Sequence, residues 1–334
     1  MTVSRWLKRQ FLRRSHSDQP RSSGFTLIEL LIALVIGSVI ISGLMFIVTE
    51  MLKIERRETA VDNTQRDMKR ALEYIASDIA EAIYVYVPDP DTGDWPAPIQ
   101  VLDDVTIDNI ENVILAFWRP DFEEDANLPA DCGAFADDLE QQCLNLLERR
   151  GYYTLVAYEI VPNGEGDVVW DGQARLIRHE LPKYTDASTL EEGYAGEGPF
   201  NATGAADFLR EPVAGNAGEL GIQSAVLVDF VANPEDTAID DDAPLCEATD
   251  LVRIPADPDT SRSFFACVRA AVAGGTVEGS RDNQNLELFL RGDFEPREGS
   301  SVGLGTAALN ENSLLPTLRT GVFVQGIIGY NPDN

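Results

Sequence analysis

Nineteen consecutive residues, Leu30 to Val48, carry no charge, and no other stretch of the 334-residue chain is as long and as apolar. Wound as a helix they span roughly 29 Å, close to the hydrocarbon thickness of a bilayer. Residues 1–24, on the N-terminal side, hold six basic residues (Arg5, Lys8, Arg9, Arg13, Arg14 and Arg21) against one acid, Asp18. The positive-inside rule keeps that side cytoplasmic and sends the chain beyond the apolar run outward. The net charge of −30 is unevenly divided: residues 25–70 balance six basic against six acidic residues, and residues 71–334 hold 14 basic against 49 acidic. A body this acidic lacks the basic face that phosphate contacts need, which excludes a nucleic-acid binder. A single apolar run excludes a protein that crosses the membrane with many helices.

A cleaved secretory signal and an uncleaved anchor are the simplest readings of such a run. The secretory type has an apolar region of about 7–15 residues followed by a small-residue cleavage site. Here the run is longer, and Ile47-Val48-Thr49-Glu50 offers no such site. Glu29, at the start of the run, points to something more specific than an anchor. A charge at the centre of a membrane helix costs on the order of 2.5–3.5 kcal/mol on insertion scales. Close to the interface Glu29 stays hydrated; deeper, it needs a partner. An α-amino group freed by cleavage just before Phe25 would serve. Gly24, having no side chain, lets a peptidase approach the backbone closely.

Gly24-Phe25-Thr26-Leu27-Ile28-Glu29-Leu30-Leu31-Ile32-Ala33-Leu34 resembles the class III signal of type IV prepilins and type II secretion pseudopilins. The resemblance implies that a prepilin peptidase cuts between Gly24 and Phe25 and N-methylates Phe25. It implies that Glu29 pairs with the N-terminal amine of a neighbouring subunit during assembly. Residues 1–24 are then a cleaved cytoplasmic leader, 25–49 a transmembrane and assembly helix, 50–87 an amphipathic helix and 88–334 an exported head. Glu55-Arg56-Arg57-Glu58, Ala71 to Ile79 and Ala82 to Tyr86 are similar to PilW-like minor pilins, and more narrowly to the pseudopilins of hormogonium polysaccharide secretion in filamentous cyanobacteria. The implied partners are other pilins or pseudopilins along the N-terminal helix, the prepilin peptidase, an inner-membrane assembly platform and the lipid bilayer.

Beyond Glu50 the apolar positions Ile54, Val61, Met68, Leu72, Ile75, Ile79 and Ile83 recur at helical spacing. Charged residues fill the other faces, with Asp62–Arg66 and Lys69–Glu73 as i,i+4 opposite pairs. The stripe is expected to lie on the body, with the helix running to Val87 and ended by Pro88 and Pro90. A free coiled coil has too few heptads to compete. Gly37 and Gly43, costly in an aqueous helix, suit close helix packing in a membrane.

After Pro88 the pattern becomes strand-like. Expected strands are Val113–Trp118, Tyr152–Val161, Ala174–Glu180, Ser224–Val231, Phe264–Ala273, Leu286–Leu290 and Gly321–Ile328. Asn163–Asp167 reads as a hairpin connection from Tyr152–Val161 to Val168–Trp170, and Leu139–Glu148 as a short helix. Residues 185–220, 232–260 and 292–312 read as long loops. The expected fold class is α+β, a long N-terminal helix on a β-rich, mainly antiparallel head in one or two small sheets. Pilin-like proteins have that plan, which is an analogy of fold only.

Cys132, Cys143, Cys246 and Cys267 all lie on the exported side and allow three disulfide pairings. Cys132–Cys143 with Cys246–Cys267 is preferred, since each pair brackets a loop-rich stretch. Zinc would want tighter spacing and usually histidine. Asp89, Asp91 and Asp94, and likewise Asp240, Asp241 and Asp242, form loose acidic loops that calcium could use, although neither matches an EF-hand. Their plainer reading is a solvated loop. Some pseudopilins hold calcium, which is what the resemblance adds.

Enzymatic signals are weak. Gly299-Ser300-Ser301-Val302-Gly303 matches a nucleophile elbow, but no histidine follows Ser301. His16 lies in the leader, and His179, between Arg178 and Glu180, reads as a surface residue. Gly303-Leu304-Gly305 follows no βαβ unit and is no nucleotide site. The sequence therefore predicts a minor pilin or pseudopilin without catalysis or cofactor, single-pass in the inner membrane with its head outside and then built into a filament. The rival within this class is a J-type pseudopilin of type II secretion. Outside it, the rival is a membrane-anchored enzyme or carbohydrate-binding protein, with Trp95, Trp118 and Trp170 as candidate sugar platforms.

Overall fold

A computed structural model describes residues 24–87, 113–122, 124, 128–135, 137–164, 169–182, 184–186, 191–192, 223–235, 246, 251–258, 260–269, 271–273, 276–278, 285–294 and 317–324. The chain forms two compact units, residues 1–58 and residues 59–334. The first helix, α1 (Leu27–Ala80), supplies residues to both.

In the second unit α1 buries Thr64, Met68, Ala71, Leu72, Ile75, Asp78 and Ile79. Steps of three and four residues place them on one face. The expected stripe is thus a packing face from Thr64 onward. Ile54 is exposed, and Val61 and Ile83 are only half-buried.

The helix also stops sooner than its prolines require. Ile83-Tyr84-Val85-Tyr86-Val87 is a β-branched and aromatic run that suits a strand. Tyr84–Val85 (β1) pairs antiparallel with Val113–Phe122 (β2), Tyr84 opposite Trp118 and Val85 opposite Phe117. The amides of Ile83 and Tyr86 donate to the carbonyls of Trp118 and Ala116 at 2.8 and 2.9 Å. Sheet partners therefore take over the backbone groups before Pro88 is reached.

After β2 come helix α2 (Asp137–Arg149) and strands β3 (Gly151–Pro162), β4 (Ala174–Pro182), β5 (Tyr184–Asp186), β6 (Glu191–Glu192), β7 (Gln223–Val231), β8 (Leu251–Ile254), β9 (Phe264–Arg269), β10 (Ala271–Ala273), β11 (Thr276–Glu278), β12 (Asn285–Leu290) and β13 (Leu318–Phe323). Every strand pairing among the described residues is antiparallel. One sheet has the order β1-β2-β3-β4-β7 and a second the order β13-β12-β9-β8, with β5-β6 and β10-β11 as ribbons. The α+β plan read from the sequence is therefore the observed one.

Several sequence-based boundaries need correction. Val169 and Trp170 are not in a strand, because β3 takes β4 as its partner, Val161 opposite Arg175. The stretch Phe264–Ala273 is two strands, β9 and β10, with different partners. Within the expected loop 185–220, Asp186 pairs with Glu191, and within 232–260 Leu251–Ile254 pairs with β9. Both segments are short, and strands of two to four residues carry too little periodicity to stand out. In the expected loop 292–312, Gly292 bridges to Val231. The strand expected at 321–328 begins earlier, at Leu318, and residues 325–328 lie outside the described set.

One apolar core joins these parts. Met68, Leu72, Ile75 and Ile79 of α1 share it with Phe117, Val156 and Tyr158 of the first sheet and with Phe264, Ala266, Leu286 and Leu288 of the second. The two sheets are also tied through the backbone: Ala232 N–H donates to the Arg291 carbonyl and Asp293 N–H to that of Phe230. Phe230 has φ 61°, a left-handed conformation that bulky residues rarely adopt. The Asp229 carboxylate holds this bend by accepting from the amides of Asp171 and Gly172 and from Asn163 Nδ2, at 2.9, 3.1 and 3.0 Å. A Cβ on Gly172 would lie 2.2 Å from the Phe230 nitrogen, so the turn requires glycine there.

Candidate functional site

Helix α1 begins immediately after Thr26. The hydroxyl of Thr26 accepts from the Glu29 amide at 3.4 Å, and its carbonyl accepts from the amides of Glu29 and Leu30. Thr26-Leu27-Ile28-Glu29 is thus a Thr-x-x-Glu capping sequence, with Glu29 in the first turn. The positive end of the helix dipole favours a carboxylate at this place. Gly24, Phe25 and Glu29 are all exposed, Phe25 at 76%, and the space beside Gly24 is open. Gly24 and Phe25, on either side of the expected cleavage bond, are thus both exposed.

The apolar residues of the next turns are exposed. Leu30, Leu34, Ile40, Leu44 and Phe46 are each more than half exposed, as is Leu27 before them. This is the one helix among the described residues long and apolar enough to cross a membrane. Ser38 and Thr49 donate their hydroxyls to the carbonyls of Val35 and Phe46, so neither leaves a bare polar group on the apolar surface. A Cβ built on Gly37 or Gly43 meets nothing within 4 Å. Both glycines thus leave room on the helix surface.

The other end of α1 has a different chemistry. Asp78 lies on the buried face and is 6% exposed. Arg119 of β2 donates Nη1 to its Oδ1 at 2.5 Å, while Tyr158 of β3 and Arg178 of β4 donate to its Oδ2 at 2.6 and 2.8 Å. Glu180 bridges the two guanidinium groups, from Arg119 at 2.7 Å and Arg178 at 2.8 Å, and Asp121 also accepts from Arg119. Burial pushes the Asp78 carboxyl upward, but the hydrogen bonds from Arg178, Tyr158 and Arg119 outweigh it and hold the group below the ordinary carboxylate range. Burial next to that charge pushes the Tyr158 hydroxyl well up. The result is a charge-assisted clamp between the helix and three strands. A signal for it exists in the sequence, namely an acid between Ile75 and Ile79 on the apolar stripe, but its partners are far away along the chain.

Cys132 is bonded to Cys143 and Cys246 to Cys267, the local pairing. The first bond pins the middle of α2 in a small satellite core with Leu146, Leu128 and Tyr152, and the second supports a cluster with Phe265 and Phe289. With all four sulfurs oxidised, no thiolate is left for zinc. The calcium candidates Asp89, Asp91, Asp94 and Asp240–Asp242, the Ser301 elbow, Gly303-Leu304-Gly305 and Trp95 lie outside the described residues.

Two other candidates are relocated. Trp118 is not a platform: it is fully buried and donates its indole N–H to the Tyr86 hydroxyl at 2.6 Å. His179 is not a surface residue. It is 8% exposed, on strand β4 between β3 and β7. Trp170 is half-buried with the Arg175 guanidinium over its ring.

Residues 19–45 match the family model of the prokaryotic N-terminal methylation motif. The match includes Gly24, Phe25 and Glu29, and it marks a type IV pilin-like class III signal. No curated protein and no solved structure matches the chain. An exposed apolar helix behind such a motif supports a pilin-like, single-pass subunit.

Proposed function

We propose that this chain is a minor pilin or pseudopilin, a structural and assembly-priming subunit of a type IV pilus-like filament. The observation that carries the reading is the coincidence of the methylation motif, residues 19–45, with a helix half whose apolar side chains have no cover. The chain enters the inner membrane with its basic leader inside and its head outside. A prepilin peptidase cuts after Gly24, and Phe25 becomes the methylated N terminus. Glu29 then accepts a neighbour's amine, an ion pair whose alternative is an unpaired charge in hydrocarbon. Apolar helices pack side by side, and the open surface at Gly37 and Gly43 admits close approach.

A head built from most of the chain favours a tip or priming position over a repeating shaft, because bulky heads crowd a helical lattice. The similarity of residues 55–58, 71–79 and 82–86 to pseudopilins of hormogonium polysaccharide secretion favours a filament that serves polysaccharide export and gliding.

N-terminal analysis of the mature protein tests the core of this reading. A chain that begins with N-methyl-Phe25 is expected. A retained leader, or a start near residue 50, would sink it. Loss of surface polysaccharide with intact protein secretion, on deletion of the gene, is the expected result for the narrower role.

A further inference from the structure

Three side chains form a polar row on the first sheet that the assembly reading does not use. His179 of β4 stands directly opposite Ser224 of β7. On its other side it faces Ala157 of β3, so Glu159 lies two residues further along β3, on the same face. His179 Nδ1 is 2.8 Å from Ser224 Oγ, and Nε2 is 2.8 Å from Glu159 Oε2. With the carboxylate as acceptor, a neutral ring carries its proton on Nε2 and leaves Nδ1 to accept from the Ser224 hydroxyl. Glu159 is 3% exposed and His179 8%, whereas Ser224 and its neighbours Gln223 and Ala225 are exposed. The base and the group that orients it are shielded from water, and Ser224 is the exposed residue of the three. That is the relation of nucleophile, base and orienting carboxylate that acyl transfer requires, and it is recognised by geometry rather than chain order.

We propose that Ser224 is an activated nucleophile, with His179 as its general base and Glu159 as a positioning residue, and that it accepts acyl groups from carboxylic esters. Oγ bonds to the ester carbonyl carbon while its proton passes to His179 Nδ1. The carbon–oxygen bond to the alcohol breaks, and the alcohol leaves with that proton. Water, deprotonated by the same nitrogen, then releases the acid and restores the hydroxyl. The exposed setting of Ser224 fits an ester on the surface of a large molecule. This activity is independent of the assembly role. It differs from the elbow at Ser301, which has no histidine behind it.

The test is acylation of the full chain in detergent by p-nitrophenyl acetate, and by a fluorophosphonate, with the modified residue located by mass spectrometry. Ser224 is expected to react roughly 10²–10⁴-fold faster than in the urea-unfolded chain, the usual range for a positioned base. Ser224→Ala removes the modification. His179→Gly lowers it to the unfolded level, and added imidazole restores part of it, which a purely structural histidine would not allow. Glu159→Gln slows the reaction and Glu159→Asp recovers part of the rate. Reaction at the unfolded rate in the wild-type chain overturns the proposal even if every variant fails to fold. So does an unchanged rate in a folded His179→Gly variant.

Discussion

The two halves of helix α1 present opposite solutions to the same geometry. Up to Glu58 the helix shows its apolar residues on all sides and buries none of them. From Thr64 on, it buries one stripe and leaves its other faces to pairs such as Asp67–Arg70 and Lys69–Glu73. Each half also carries one acid of consequence. Glu29 is exposed and has a helix cap beside it, whereas Asp78 is buried and receives hydrogen bonds from Arg119, Arg178 and Tyr158. Burial of a carboxylate is tolerated only where donors are already in place. The head supplies its own donors to Asp78. For Glu29, within the proposed function, the donor comes from another subunit.

The sharpest way to break this contrast is to remove each acid. Asp78→Ala leaves the buried Arg178 and the half-buried Arg119 without their central partner and is expected to cost the head about 3–5 kcal/mol, read from denaturant unfolding. Glu29→Val leaves that unfolding curve in place and abolishes incorporation into filaments while processing continues. Normal incorporation of the Glu29→Val protein would remove the assembly role of this carboxylate. Next in size, Ile75→Ala is expected to lose about 2–5 kcal/mol, against about 0.5 kcal/mol or less in the head for Ile40→Ala. Equal losses would mean that both halves share one core.

Opening the Cys132–Cys143 bond, which closes a loop of sequence separation 11, should cost roughly 3 kcal/mol in the chain-entropy model. That loss is expected in α2 and its satellite core, as faster amide exchange there with the sheet unchanged. A smaller effect, about 1–3 kcal/mol, is expected for Gly172→Ala, whose Cβ meets the Phe230 backbone. The smallest is a pH effect. Asp78 has its carboxyl lowered in the folded head, so its contribution is complete above the unfolded carboxylate range near pH 4 and fades as the pH falls through the lower folded value. Wild type and Asp78→Asn should therefore converge in stability as the pH drops below about 4. A difference that persists in strong acid would show that the clamp acts through packing rather than charge.

Local features were legible wherever one element carried the whole signal. The motif at Gly24, Phe25 and Glu29, the apolar run, the stripe Met68–Leu72–Ile75–Ile79 and the long strands β3 and β4 repeat at the period of their own backbone, so they can be read without knowing their neighbours. The end of α1 could not be read in this way. Tyr84 and Val85 leave the helix because β2 offers them a pairing edge, and that edge begins only at Val113. His179 was misplaced for a related reason, since its partners Glu159 and Ser224 lie on neighbouring strands and strand order decides which strands adjoin. The sequence alone thus determined the long apolar segment, the methylation motif and the α+β class. The tertiary structure decided which acid is clamped, which cysteines meet, and that a histidine and a serine from separate strands stand 2.8 Å apart. The physical reason is range. Periodicity and composition act over a few residues, but ion pairs, disulfides and strand order depend on contacts between residues far apart along the chain.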